Sequence, residues 1–324
     1  MSLENTIGIS LPRNLPADRI IEFAQRAEQL GFAELWIVED LFFRGGIAQA
    51  AVALASTSTI HVGVGILPAA ARNAAFATLE TATLAELYPG RITLGIGHGM
   101  PDWMRQVGAW PASPLTLLRE TLDTVRALLR GETLGTQGRY VQLDDARLEF
   151  VPPVTPAVLA GVRGPKSLAV AGRVADGTVL AEPVTPEYLA EVRRQIAASR
   201  PHRIVGYNVA AVHPDSSTAR DLARTRLDWV GEPDCRVHIE PLPFAEEFFA
   251  LRETVDSPEA FAAVLPDEWV DQLAVVGTAE AARARLDELY AAGAHSIVLL
   301  PAGDDPFAAL RSLAVLLDEK TPAE

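Results

Sequence analysis

The sequence predicts an α/β fold, a (β/α)8 TIM barrel, and three observations carry that prediction. Short apolar runs alternate with longer helical segments, eight such runs occur in 324 residues, and the irregular stretches fall between units. Alternation of this kind argues for a parallel sheet, and insertions confined to loops fit a closed barrel better than an open doubly wound sheet. One domain over 1–324 is expected, because α/β barrels exceed the usual domain size as a single unit.

The elements follow in order. The apolar run 6–11 is strand one, and the helix 16–30 after it is stopped by Gly31. Strand two is 33–38, followed by an alanine-rich helix at 47–55. Strand three is 60–67, and its helix, 74–87, ends before Pro89-Gly90. Strand four, 91–97, leads into an irregular stretch, 98–114, and a helix at 115–129. Residues 133–150 break the rhythm and read as an inserted hairpin turning near Gln137-Gly138. Strand five is 157–160 with a short helix at 165–174, and strand six is 177–181 with a helix at 186–198. Strand seven is 203–212, its helix is 217–230, and a second insertion, irregular or helical, spans 235–271. A helix at 279–292, strand eight at 296–300 and a closing helix at 306–317 complete the eight units.

Composition excludes several functions. The formal net charge of −14 makes a poor partner for nucleic acid or an anionic membrane, since phosphate neutralisation requires a basic face. The single cysteine, Cys235, allows no disulfide framework and no thiolate cluster, which suits a reducing cytoplasm. No N-terminal basic-plus-apolar signal is evident, and no run reaches the roughly 18 apolar residues of a membrane span. The H-x-H, H-E-x-x-H, C-x-x-C, G-x-S-x-G and G-x-G-x-x-G signatures are missing, so a zinc site is not expected, nor a serine hydrolase or a Rossmann turn.

Active sites of such barrels lie at the C-terminal ends of the strands, so residues just past each strand are the candidates. Gly161, Val162, Arg163, Gly164, Pro165 and Lys166 follow strand five. The glycines permit close backbone approach, Pro165 suits a first helical position, and free amides with two cations make an anion site. A βα turn carrying two surface cations is the other reading of the same loop. After strand four, Gly97 and Gly99 bracket His98, which can hydrogen-bond a ligand, move a proton or merely cap a loop. Trp103 can wall a pocket or pack in the core. Glu39 and Asp40 follow strand two, as acid, base or cofactor-orienting groups, with Asp40 alternatively capping the next helix. Gly65-Ile66 lies late in strand three, where a glycine often marks a bulge.

Taken in order, GFAELWIVED, VGVGILPAAARN, LYPGRITLGIGHG and GVRGPKSLAVAGRVADG resemble the bacterial luciferase-like superfamily of flavin-dependent monooxygenases and coenzyme F420-dependent reductases. The resemblance spans nearly the whole chain. It implies a (deaza)flavin ring over the strand ends, a bulge at Gly65-Ile66, often a cis peptide, behind the ring, and the loop 161–166 around the cofactor phosphate. It also implies a small-molecule substrate and a homodimer. Two departures matter. Many relatives carry Asp-His after strand two where this chain has Glu39-Asp40. Some sugar-phosphate dehydrogenases of the group carry an acid where Met100 stands, which leaves His98 as the candidate for proton handling.

Coenzyme F420 and FMN fit similar pockets with different chemistry, hydride transfer in the first case and oxygen activation in the second. The pattern at 39–40 and 97–106 leans towards F420, with Arg44, Arg72 and Arg163 as local cations for an anionic tail. An FMN-dependent monooxygenase and a non-catalytic flavin-binding barrel are the alternatives. A Schiff-base role for Lys166 would require burial that its place at a helix start does not suggest.

Overall fold

Eight strands pair in parallel and close on themselves in this structure, a computed structural model that describes residues 5–317. The outermost ends of the one-domain expectation, 1–4 and 318–324, lie outside the described residues. The ring runs β1 (Thr6–Ser10), β2 (Glu34–Ile37), β3 (His61–Pro68), β4 (Ile92–Gly97), β5 (Ala157–Gly161), β6 (Gly177–Leu180) and β7 (Arg203–Val212), and β9 (Ser296–Pro301) closes it between β7 and β1. A ninth strand, β8 (Val275–Gly277), pairs only with the far end of β7, outside the ring. The strand read at 296–300 is therefore β9 in chain order.

The helices α1 (Ile20–Leu30), α2 (Gly46–Ser56), α3 (Ala74–Leu87), α5 (Pro114–Leu129), α6 (Pro165–Val174), α7 (Pro186–Ile196), α8 (Ser216–Arg224), α13 (Ala279–Ala291) and α14 (Pro306–Leu313) connect successive strands, α8 and α13 flanking the last insertion. Their apolar faces and the outward faces of the strands form the main core. Trp36, Leu159, Val179, Val205, Tyr207 and Val298 fill the barrel interior, so the barrel is packed, not a pore. Its N-terminal end is closed by Glu34, fully buried, which accepts from Thr6, Trp36 Nε1, Arg203 and Ser296.

Several expected boundaries change. The first turn of the helix after β1 is a 3-10 turn, Ala17–Arg19, and the helix after β7 ends at Arg224 instead of 230. The inserted 133–150 makes only two isolated antiparallel bridges, Leu134 with Ala146 and Gln137 with Gln142. It is tied down by Glu120, whose carboxylate accepts the amides of Arg139, Tyr140 and Val141. The stretch after β4 contains α4 (Pro101–Gln106), and the last insertion folds as α9 (Arg236–Ile239), α10 (Ala245–Glu253), α11 (Pro258–Val264) and α12 (Asp267–Leu273). These helices bury a core of their own around Phe248 and Phe261. Among the described residues no helix is long and apolar enough to cross a membrane.

Candidate functional site

At the C-terminal mouth, β3 slips against β4: Val64 pairs with Leu94 and Leu67 with Ile96, so Gly65 and Ile66 together face one residue. The Gly65–Ile66 peptide is cis. Both residues are partly exposed while Val64 and Leu67 on either side are buried, so the bulge is where the strand opens to the mouth. The side chain of Ile66 lies across the backbones of β4 and β5. A β-carbon on Gly161 would fall 2.2 Å from Ile66 Cγ2, and one on Gly97 would fall 3.1 Å from Ile66 Cγ1. Only glycine at these strand ends lets the bulge lie down on its neighbours.

The loop after β5 leads straight into α6, and Gly164 is the N-cap residue with no side-chain cap on the helix. A β-carbon on Gly164 would meet nothing within 4 Å, and its φ of −89° is open to any residue. No side chain caps the first-turn amides, which leaves them for an anion. Val162 is buried with its amide on the Val179 carbonyl, Pro165 and Lys166 are exposed, and Arg163 is half-buried. His98 joins this cluster through a residue that no sequence motif singles out. Its Nε2 lies 2.9 Å from Ser167 Oγ in the first turn of α6, and burial lowers its pKa, so the ring is neutral at pH 7. Trp103 sits half-buried on α4.

The acidic pair after β2 is divided between two arginines. Glu39 takes a bidentate pair from Arg72 and accepts the Gly46 amide at 2.6 Å, so the first turn of α2 is held by Glu39 and not by Asp40. Asp40 pairs with Arg13 at 2.7 Å, and Arg13 also lies over the ring of Phe43. The cations expected to serve an anionic tail have partners as well. Arg72 is held by Glu39 and Glu80, Arg44 donates to the Arg13 carbonyl, and Arg163 donates to the Asp234 carbonyl at 3.0 Å.

The last insertion roofs one side of the mouth. His238 on α9 is fully buried, stacks on Tyr188 at 4.3 Å and donates from Nδ1 to the carbonyl of Pro183, whose peptide with Glu182 is cis. Burial lowers the pKa of His238 to about 3, and its Nε2 has no partner among the described residues. Glu182, just past β6, is half-buried, and desolvation raises its pKa against the opposing pull of the Arg163 and Arg226 charges. The buried hydroxyl of Tyr207 has no hydrogen-bond partner among the described residues and lies 2.6 Å from where a β-carbon on Gly65 would be. Ser167, Tyr207 and Arg226 were not separable by sequence, because their meaning depends on contacts across strands, whereas Glu182 is legible as the residue that follows the sixth strand.

Comparison with known proteins adds identity to this geometry. The profile of the luciferase-like monooxygenase family matches residues 2–296. The 5,10-methylenetetrahydromethanopterin reductase of Methanolobus tindarius is 28% identical over 306 residues, 90% of this chain and 93% of the relative. The coenzyme F420-dependent tetrahydromethanopterin reductase of Methanopyrus kandleri superposes with a TM-score of 0.81 at 20% identity, over 96% of this chain and 97% of that one. The FMN-bound oxygenating component of 3,6-diketocamphane monooxygenase from Pseudomonas putida superposes with a TM-score of 0.72 at 17% identity, over 98% and 97%.

Proposed function

The chain belongs to the luciferase-like monooxygenase family, and from that premise we propose that it is an F420-dependent oxidoreductase reducing a small organic substrate at the barrel mouth. One observation carries the reading: the bulge of Gly65 and Ile66 lies flat on Gly97 and Gly161 beside the uncapped start of α6. That arrangement offers a shelf for a planar ring and, next to it, a seat for its phosphate. The F420-dependent glucose-6-phosphate dehydrogenase of Beutenbergia cavernae, 32% identical over 180 residues and 52% of this chain, supports F420 over FMN.

When bound, the deazaflavin supplies a hydride. Gly65 and Ile66 would back its ring, Gly97 and Gly161 would allow its close approach, and Trp103 would wall its edge. The amides of Lys166 and Ser167, with Val162, Arg163, Gly164 and Pro165 shaping the turn, would hold the phosphate. His98, neutral and fixed by Ser167, would orient or exchange a proton at the mouth. Asp40, paired with Arg13, would stand at the mouth, whereas Glu39 is occupied by Arg72 and Gly46 and would act by holding the loop after β2. The reading extends to a single domain acting in the cytoplasm as a homodimer. The exposed Phe76, Leu79 and Leu87 on α3 support association, which light scattering checks.

Fluorescence titration of the purified protein with F420 and with FMN at matched salt tests the cofactor assignment. F420 is expected to bind at least tenfold more tightly, a difference of about 1.4 kcal/mol. Tighter FMN binding would turn the assignment to oxygen chemistry, and binding of neither would remove the phosphate seat from 161–166.

A further inference from the structure

We propose that Ser167 is a positioning residue for His98: its hydroxyl donates to His98 Nε2, which places the ring proton on Nδ1 and makes His98 a neutral hydrogen-bond donor at the barrel mouth. The inference deepens the reading of the chain as an F420-dependent reductase and rests on it for the use of that donor.

The fold brings the two residues together. β4 and β5 are neighbours in the ring and pair to their last residues, Gly97 with Gly161. His98 directly follows Gly97, and Ser167 stands in the first turn of α6, which begins just past Gly161. Across that join His98 Nε2 lies 2.9 Å from Ser167 Oγ, a hydrogen-bond distance. A β-carbon on Gly97 would fall 2.5 Å from the Gly161 carbonyl oxygen and 3.1 Å from Ile66 Cγ1, so His98 is next in the chain to a residue on which the bulge rests. Its Nδ1 has no hydrogen-bond partner among the described residues, and the side chain is only half-buried. That nitrogen is the one left for a ligand.

Two arguments set the direction of the bond. A hydroxyl has one proton to give, and among the described residues the only hydrogen-bond partner of Ser167 Oγ is His98 Nε2. If Nε2 carried the ring proton the bond would run the other way, and the hydroxyl proton would have no acceptor in the protein. The second argument is electrostatic. Ser167 belongs to the N-terminal turn of a helix with no side-chain cap, and that end carries partial positive charge. A ring lone pair facing it is stabilised, an N–H facing it is repelled, and the imidazolium is disfavoured. Burial acts the same way on His98, lowering its pKa and leaving a neutral ring with one proton to place.

The arrangement has a chemical use. Hydride arriving at the carbon of a polarised substrate bond builds negative charge on the atom bonded to that carbon. A neutral N–H held in place stabilises the charge as it develops and keeps its own proton. Ser167 contributes the choice of nitrogen, since the bond made by one ring nitrogen sets the state of the other.

Proton–nitrogen correlation spectra of the cofactor-free protein, carrying isotope-labelled histidine at neutral pH, test the assignment. His98→Gln identifies the His98 signals by their loss. The wild type is expected to show a protonated Nδ1 and an unprotonated Nε2. Ser167→Ala should lose that preference, and Ser167→Thr, which keeps the hydroxyl, should restore it. Adding F420 should leave the wild-type tautomer in place. A wild-type ring protonated at Nε2, an Nδ1–H form that persists unchanged in Ser167→Ala, or a switch to Nε2–H on adding F420 would overturn the assignment. The wild-type spectrum alone decides between the tautomers if Ser167→Ala does not fold. Failure of the wild type to bind F420 overturns the cofactor reading instead, and the cofactor-free spectra separate the two.

Discussion

His238 shows how a single buried side chain can tie an insertion to a barrel. Its Nδ1 donates to the Pro183 carbonyl, its ring stacks on Tyr188, and its other nitrogen faces no partner among the described residues. Desolvation lowers its pKa to about 3, well below the unfolded value near 6.5. Between those values the unfolded chain binds a proton that the folded chain does not, so stability falls as pH drops through that window. Going from pH 7 to pH 5 should cost about 2 kcal/mol at this residue. Urea unfolding at the two pH values checks this, with the fall in midpoint expected to shrink in His238→Gln; an equal fall in both proteins would contradict it. Nothing local in the sequence marks His238, since its partners lie about 50 residues away. Glu39 is a similar case. Its place after β2 was legible, but its bidentate partner Arg72 is 33 residues on, and side-chain pairing at that separation leaves no periodic trace.

Secondary-structure elements were more legible than side chains, because hydrophobic periodicity and Gly or Pro punctuation act locally. The helix after β1 ends at Gly31 in a left-handed conformation, as its sequence position implies, and α6 begins at Pro165. β8 carries no periodic signal, because three residues, Val275–Gly277, are too few to establish a period. α4 leaves little periodic trace, because its six residues begin with Pro101 and follow a glycine-rich strand end. The N-terminus of α6 carries the most direct element-level expectation. Gly164→Asp introduces an N-cap carboxylate where a β-carbon has open space. It should stabilise the fold by about 0.3 kcal/mol through capping. The same charge should repel a cofactor phosphate and weaken F420 binding more than tenfold, which thermal melts and fluorescence titration check together. Gain in stability with unchanged affinity would place the phosphate elsewhere.

Taken as one object, the chain is a packed barrel whose two ends do different work. The N-terminal end is closed by Glu34 and its four donors, a buried network suited to stability. The C-terminal end gathers a bulged strand, an uncapped helix and a ring of charges roofed by the last insertion. The closed barrel and the loop positions of its insertions followed from the sequence, since both depend on the order of elements. The pairing of His98 with Ser167 and the approach of Tyr207 to Gly65 depend on closure of the ring, which brings together residues 69 and 142 positions apart. A crystal structure of the protein with F420 would examine that mouth as a working unit. The expected result has the deazaflavin ring against Gly65 and Ile66 and the phosphate within hydrogen-bond reach of the Lys166 and Ser167 amides. A ring seated away from the bulge, or a phosphate away from α6, would contradict the account.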